Sequence, residues 1–447
     1  MGKYLKLFET DSERVGYEDG ENYLEPYVSY VEGDNTVHYN KVETKLIVRY
    51  NVDDASNPTQ LYTYMSEMGI SGAAMFDKVE IDNAEVSISD LDTAQGQYQL
   101  SEGGHTIKYT LIDPTLIGAE IDETYTITRL GATFGQCSNI ISVEIPNSVT
   151  SIGYSAFGYC TSLTSVTIPN SVTSIGRNAF FETSLRKVVI PDSVTSIGEW
   201  AFGQCYNLSN ATINVANIGE SAFQNCSGLT SVTLSNNVTS IGNHAFNACY
   251  ALTSITIPDS VTSIDTAAFA NCTGLTSVTI PNSITSISGY VFSNCSSLTN
   301  VTIPDSVTSI GQKAFSSCSS LTSINIPSGV TSISDETFYE CSKLTSVTIP
   351  SGVTSIGKSA FQYCDALTSI TIPSGVTSIS NVAFADCVGL TSIISLATTA
   401  PTIDFNTFLR IKTEGTLYIP QNSTGYDVWM STGNYYLGLY NWTKVEQ

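Results

Sequence analysis

The stretch "LTSVTIPNSVTSIGRNAF", residues 163–180, recurs in recognisable form along much of the chain. Leu163, Val166 and Ile168 fit a short strand, in which alternate apolar residues face one side. Pro169 ends that strand because it has no N–H to donate. Gly176 then permits a tight bend, and we expect the following Ala-Phe pair to return inward on a single helical turn. One such unit cannot bury its apolar residues alone, so the pattern predicts stacked coils.

The cysteines give the period of the repeat. Eight of the ten gaps between the eleven cysteines are 23 residues, one is 21, and a gap of 45 spans a copy without cysteine. Reading each copy from its first apolar residue gives starts at Ile140, Leu163, Leu185, Leu208, Leu229, Leu252, Leu275, Leu298, Leu321, Leu344, Leu367 and Leu390. The sequence therefore predicts a mainly β solenoid of about twelve 23-residue coils over residues 132–395.

Composition narrows the class of protein. The 447 residues are 42% hydrophobic and 13% charged, which is typical of a folded chain. The net charge is −23, and residues 1–130 alone carry 24 acidic against nine basic residues. This charge disfavours nucleic acids and anionic membrane surfaces as partners. We also expect no direct membrane insertion and no secretory signal, because the first 22 residues lack an apolar region.

The repeated phrase, with its Ile-Pro, Ile-Gly and Ala-Phe-x-x-Cys, resembles the leucine-rich repeat of the BspA type. That family is found on surface proteins of Bacteroidetes, of other gut or oral microbes and of some protozoa. The resemblance covers 132–395 and implies a leucine-rich-repeat solenoid that displays a binding surface. Two departures, at residues 180–183 and 213–219, shorten their coils and should produce small kinks.

The flanking segments suggest a domain order. Residues 1–40 are aromatic and acidic and predict an extended docking arm, which resembles leaders of structural proteins from phages that infect Bacteroidetes. Residues 41–112 contain strand-like runs that predict a small β-sandwich, similar to immunoglobulin-like modules. Residues 113–131 are expected to form a connector and N-terminal cap. Residues 396–447 resemble the C-terminal cap of such proteins.

The sequence offers little material for catalysis. The three histidines are scattered, and no zinc, nucleophile or phosphate-binding motif is present. We therefore predict a non-enzymatic protein without metal or cofactor, and interpret the pair Asp335 and Glu336 as a solvated turn. One cysteine per coil at a fixed phase indicates stacked, buried thiols rather than disulfides, whose Cβ vectors must converge.

Two sets of surface residues could bind a ligand. Hydroxyls such as Ser165 and Thr167 line the strand face, where ordering of water or binding of sugars is an alternative to a purely structural role. The second set varies between copies near Ile-Gly and Ala-Phe, either by drift or because it contacts a ligand. This candidate ligand-contact edge comprises Tyr154, Tyr159, Arg177, Trp200, Tyr206, His244, Tyr250, Tyr290, Lys313, Tyr339, Lys358 and Tyr363.

These observations favour a non-enzymatic display and adhesion protein that presents its repeats to a host-surface protein or glycan. The missing secretory signal favours a phage virion fibre or decoration protein on the virion surface, held to a virion or envelope structural protein by the N-terminal arm. The alternative is a BspA-type adhesin on the bacterial cell surface. A carbohydrate-active or ice-binding solenoid is a remoter alternative, and self-association as a homo-oligomer is a further expectation.

Overall fold

The computed structural model describes residues 79–82, 130–131 and 134–447 in full, together with the backbone of the strands between residues 17 and 130. The fully described part is a succession of short strands and tight turns that repeats about every 23 residues through about 13 turns. The predicted mainly β solenoid is confirmed. No α-helix occurs in 134–447.

The longer strands form the first face of the solenoid. They pair in parallel with strands of neighbouring coils, in groups of two to four strands. In the coil starting at Leu252 the strand is reduced to a bridge between Ser254 and Ser277. The strands are Ile140–Glu144, Ser165–Thr167, Lys187–Ile190, Asn210–Ile213, Ser231–Leu234, Ser277–Thr279, Asn300–Thr302, Ser323–Asn325, Ser346–Thr348, Ser369–Ile372, Ser392–Ser395, Thr416–Ile419 and Thr443–Glu446.

Two-residue strands form a second parallel face, usually with the sequence Ser-Ile. The Ile side chain is buried while the Ser side chain is at least partly exposed, as in Ser174–Ile175. The strands are Arg129–Leu130, Ser151–Ile152, Ser174–Ile175, Ser196–Ile197, Asn217–Ile218, Ser240–Ile241, Ser263–Ile264, Ser286–Ile287, Ser309–Ile310, Ser332–Ile333, Ser355–Ile356, Ser378–Ile379 and Thr402–Ile403.

A column of phenylalanines runs through the core along the solenoid. Successive rings from Phe134 to Phe408 are nearly parallel, with centroids 5.1–6.1 Å apart. The rings are therefore slightly farther apart than the roughly 4.8 Å between paired strands in a sheet.

The segment around each Ala-Phe pair is not the helical turn that the sequence suggested. It is a pair of tight turns, closed by hydrogen bonds such as Ala179 N to Gly176 O and Cys160 N to Phe157 O. Two residues in each coil have positive φ, for example Asn178 at 56° and Glu182 at 56°. These turns point their backbone N–H groups at the next coil, as in Phe180 N to Ala201 O at 2.8 Å, so the coil-to-coil bonds hold the left-handed conformation.

The cysteines are buried in a column beside the phenylalanines, and none of the eleven forms a disulfide. In ten coils the thiol donates to the carbonyl of the phenylalanine one coil earlier, for example Cys272 Sγ to Phe246 O at 3.3 Å. Burial raises the pKa of Cys272 to about 12. The predicted buried thiols are confirmed and help to join the coils.

An antiparallel sheet covers the N-terminal edge of the longer-strand ladder. Lys45–Val52 pairs with Ile140–Glu144 of the first coil and, on its other side, with Gly103–Leu111. Phe76–Ile81 and Ala84–Val86 continue this sheet outward. Val79 and Ile81 are buried in the same apolar core as the solenoid.

Short strand pairs complete the part of residues 1–128 whose backbone is described. They are Tyr17–Asp19 with Asn22–Leu24, Thr59–Gln60 with Gln97–Tyr98, and Tyr64–Met65 with Ile70–Ser71. Most of the predicted arm at 1–40, and most side chains of the predicted immunoglobulin-like sandwich at 41–112, lie outside the described residues. Those domain assignments stay predictions.

The C-terminal residues add aromatic side chains to the last coil. Trp429 is buried beside Phe408, at the end of the phenylalanine column, with ring centroids 5.5 Å apart. Its Nε1 donates to Pro401 O at 3.0 Å, and Trp442 Nε1 donates to Lys412 O at 2.8 Å. A 3-10 helix at Leu437–Tyr440 precedes the last strand. Arg410 also pairs with the nearly buried Asp386 of the preceding coil.

Glycine after the second strand allows the closest coil-to-coil approach. A Cβ at Gly198 would lie 2.6 Å from Arg177 N and Gly176 C, both of which are backbone atoms. The two shortest phenylalanine spacings, 5.1 and 5.2 Å, lie on either side of this coil.

We therefore expect Gly198→Ala to lower the free energy of unfolding by about 1–3 kcal/mol, as overpacking does. Gly352→Ala is the matched control, because the nearest atom to its Cβ would be 3.5 Å away. It should be neutral or stabilise the protein by up to about 1 kcal/mol. Urea unfolding of both variants tests this, and equal effects would contradict the close-approach role of Gly198.

Candidate recognition surface

We call the exposed side of the longer strands the strand face, and the surface formed by the tight turns around each Ala-Phe pair the turn face. The exposed side chains of these two faces make different kinds of contact. On the strand face, Ser165 and Thr167 are exposed. The hydroxyls that bond between coils belong to other positions, as in Thr164 Oγ1 to Ile141 O at 3.2 Å and Thr173 Oγ1 to Thr150 O at 3.0 Å. Repeated threonines such as Thr164 and Thr173 therefore join neighbouring coils through hydrogen bonds, a role that was not expected from the sequence.

The turn face carries the candidate residues in unusual backbone conformations. Six of the twelve predicted contact residues have φ between 54° and 62°, namely Tyr159, Trp200, His244, Tyr290, Lys313 and Tyr363. Bulky side chains are uncommon at positive φ, where Asn is favoured. Because the left-handed turn itself requires no aromatic ring, these side chains are candidates for a role outside the fold.

An aromatic cluster occupies the turn face of the early coils. Phe181 lies between Tyr159 and Trp200, with ring centroids 5.2 and 5.8 Å away and both contacts edge-on. Beside it, Arg177 Nη2 lies 3.5 Å from Glu199 Oε1 in an exposed ion pair. Tyr159, Arg177 and Trp200 were expected from the sequence, but Phe181 was not. It stands where the neighbouring coils have Gly158 and Gly203, and its ring therefore adds an aromatic contact to Tyr159 and Trp200.

A shallow groove of about 530 Å³ crosses the turn face of the central coils. Four of the predicted contact residues line it: His244, Tyr290, Lys313 and Tyr339. The rest of the lining consists of two alanines and of asparagine, serine, threonine and glutamate. The groove therefore combines polar groups with the apolar surface of two tyrosine rings and two methyl groups.

Carboxamides form a chain of hydrogen bonds along the groove. Asn294 Nδ2 donates to Asn271 Oδ1 at 3.0 Å, and Asn271 Nδ2 donates to Asn247 Oδ1 at 3.2 Å. Asn247 Nδ2 lies 3.0 Å from His244 Nδ1. Because an amide nitrogen only donates, Nδ1 is the acceptor in this contact.

The single cation in the groove lining is neutralised locally. Lys313 Nζ lies 3.1 Å from Glu336 Oε2 and 5.5 Å from the centroid of the Tyr290 ring. The hydrogen bond that Lys313 donates to the Glu336 carboxylate raises the pKa of Lys313, so the ammonium stays protonated and paired. Partial burial, followed by the neighbouring Glu340, raises the pKa of Tyr339 to about 12, so its phenol stays neutral.

The remaining predicted residues are not gathered into either feature. Tyr154, Tyr206 and Tyr250 are about half exposed. Lys358 is exposed and donates its backbone N–H to Asp335 Oδ1 at 2.7 Å. Tyr363 does not line the groove, but its ring contacts that of Tyr339 edge-on, with centroids 5.6 Å apart.

Sequence reasoning missed Asn271 and Asn294, although a signal was available. Asparagine stands directly before the cysteine in three coils, at 225, 271 and 294. This position has positive φ, which asparagine tolerates better than most residues.

A sequence profile described as "BspA type Leucine rich repeat region" matches residues 131–253, 239–368 and 331–430. Together with the geometry of the coils, this match decides the family. The chain belongs to the BspA-type leucine-rich repeat family.

Solved leucine-rich repeat proteins resemble this chain. A leucine-rich repeat protein from Bacteroides ovatus is 26% identical, with a TM-score of 0.61, over 77% of this chain and 89% of that one. A leucine rich cell surface protein from Faecalibacterium prausnitzii is 33% identical, with a TM-score of 0.37, over 57% of this chain and 84% of that one. No curated protein matches the chain.

Within the described residues, no cluster of three or more His, Cys, Asp or Glu side chains could hold a metal ion. The same part of the chain contains no helix long and apolar enough to cross a membrane.

Proposed function

We propose that this BspA-type protein is a non-enzymatic display and adhesion protein whose turn face binds a host-surface protein or glycan. One observation carries the proposal. The residues that repeat account for strands, turns and core, whereas aromatic and polar side chains that differ between coils gather on the turn face as a cluster and a groove. Solenoids commonly use such extended surfaces for binding.

The display setting favoured here is a phage virion, as a fibre or decoration protein, with residues 1–40 held by a virion structural protein. Ten of the buried thiols donate hydrogen bonds to phenylalanine carbonyls, and these bonds form only while the cysteines are reduced. This fits a protein that folds in a reducing cytosol and is released by lysis. The acidic charge of residues 1–130 would suit a basic partner for the arm.

A bacterial cell-surface adhesin is the second candidate, and membership of the BspA-type family favours it. Mass spectrometry of purified virions and of proteins released by protease from intact cells separates the two settings. Peptides of this chain in virions support the first setting, and peptides only in the cell-surface fraction support the second. Absence from both fractions, with the chain present inside cells, would overturn the display function.

A further inference from the structure

We propose that the central groove binds an extended, uncharged oligosaccharide, with one sugar unit over each coil. The inference rests on the proposed function, because it names the ligand class for the turn face. It commits to a glycan rather than a peptide, and it assigns the ligand to the groove rather than to the aromatic cluster around Phe181.

The lining chemistry favours a neutral, hydroxyl-rich ligand. The ammonium of Lys313 is paired with Glu336, so the groove has no cation left over for a phosphate, sulfate or carboxylate. The protein as a whole carries −23 charges and would repel an anionic chain. A peptide anchor needs a deep apolar pocket, whereas this groove is shallow and its apolar surface is limited to the rings of Tyr290 and Tyr339 and to two alanines.

The carboxamides retain hydrogen-bonding capacity for such a ligand. A carboxamide has two N–H donors and an oxygen acceptor. Asn294 is exposed and uses one N–H toward Asn271. Its second N–H and its oxygen are available to sugar hydroxyls, which act both as donors and as acceptors.

The aromatic rings supply the complementary contact. Tyr290 and Tyr339 are half-buried and line the groove. A pyranose has an apolar face of C–H groups that packs against an aromatic ring, while its hydroxyls bond to polar groups at the edge. Rings interspersed with amides therefore match both surfaces of a sugar.

The spacing of the coils fits a linear chain of sugars. Across the groove, four successive coil separations measured between phenylalanine rings are 5.5, 5.7, 5.7 and 5.9 Å. This rise is close to the length of one pyranose in an extended β-1,4-linked chain. Equivalent positions on successive coils could then contact equivalent positions on successive sugars.

Isothermal titration calorimetry with defined tetrasaccharides tests the proposal. The probes are cellotetraose and tetra-N-acetylchitotetraose as extended neutral chains, maltotetraose as a curved neutral chain, and a heparin-derived tetrasaccharide as an anionic chain. We expect at least one extended chain to bind with Kd of about 1 mM or tighter. The curved and anionic chains should bind at least about tenfold more weakly.

Variants locate the site. Asn294→Ala and Tyr290→Ala should each weaken binding about tenfold or more. Asn225→Ala and Tyr435→Ala are matched controls, because they replace the same residue types at φ of 61° and 56° outside the groove and outside the aromatic cluster. Tyr159→Ala tests the aromatic cluster as the alternative site. The controls carry the same backbone penalty, so similar melting temperatures within each pair separate binding from folding.

Several results would overturn the proposal. These are no binding of either extended chain, preferential binding of the anionic chain, or weakening by Tyr159→Ala but not by Tyr290→Ala. Adhesion to host cells that protease abolishes and periodate leaves intact would identify a protein ligand and equally contradict it. A protein ligand would overturn the glycan proposal and leave the display function intact. Conversely, glycan binding by a chain that is absent from virions and cell surfaces would overturn the display function and leave the glycan proposal intact.

Discussion

Replacing Phe269 with alanine should lower the free energy of unfolding by about 3–5 kcal/mol. The ring is fully buried and stacks between Phe246 and Phe292, with centroids 5.5 and 5.7 Å away. The substitution removes both ring pairs and leaves a cavity between coils that cannot close without disturbing their hydrogen bonds. Because each coil contacts only its neighbours, the loss should be local.

Hydrogen exchange read by mass spectrometry should show this locality. Amides in the coils next to residue 269 should lose protection first, while those near the C-terminal aromatic residues keep theirs. Phe405→Ala is the control, because that ring is 57% exposed and its loss should change the free energy of unfolding by at most about 0.5 kcal/mol. Uniform loss of protection along the chain would contradict the nearest-neighbour account.

Raising the pH should destabilise the protein steeply above about pH 9 because of the buried thiols. Burial raises the pKa of Cys272, Cys341 and Cys387 from an ordinary value of 9.0 to about 12. The folded state therefore keeps these protons while the unfolded state releases them. Their stabilising contribution is complete below pH 9 and is lost as the pH rises toward 12. Each thiol contributes a slope of about 1.4 kcal/mol per pH unit in that window.

Urea unfolding between pH 8 and 11 measures this slope. Tyrosines and lysines also titrate there, so the informative comparison is with a Cys272→Ala, Cys341→Ala and Cys387→Ala triple variant. Its slope should be smaller by up to about 4 kcal/mol per pH unit, whatever its stability at pH 8. An unchanged slope would show that these thiols titrate alike in the folded and unfolded states.

The coil could be predicted from sequence because its determinants are local and repeated. Leu163, Ile168 and Pro169 specify the longer strand, and the spacing of the cysteines specifies the period. Each apolar residue or cysteine of the pattern recurs at the same position from coil to coil, which indicates that it is buried. Because twelve copies show the same pattern, each copy supports the same prediction.

The turn conformation could not be predicted in this way. Positive φ occurs at residues as different as Trp200, His244 and Ala267, because hydrogen bonds to the neighbouring coil impose it. The residue type at one position therefore does not show that a hydrogen bond to the next coil will hold its backbone at positive φ.

The sequence could indicate candidate surface residues, but it could not show which of them lie next to one another. Variation between copies pointed to Tyr290, Lys313 and Tyr339, which the structure brings into one groove. Asn271 and Asn294 were missed because asparagine at a left-handed position has a sufficient backbone explanation. The pairing of Lys45–Val52 with the first coil was also beyond reach, since about 90 residues separate the two strands.

The central claim is that the repeated residues build the solenoid, whereas the turn-face residues that vary between coils bind the host-surface ligand. Its most direct test is the adhesion of fluorescently labelled protein to a panel of gut Bacteroidetes cells and cultured intestinal epithelial cells. A Tyr290→Ala and Asn294→Ala variant should reduce binding about tenfold or more. A Thr279→Ala and Thr302→Ala variant, which changes exposed strand-face residues in the coils adjoining the groove, should reduce it less than about twofold. The reverse order, with binding lost from the strand-face variant and kept by the turn-face variant, would contradict the claim.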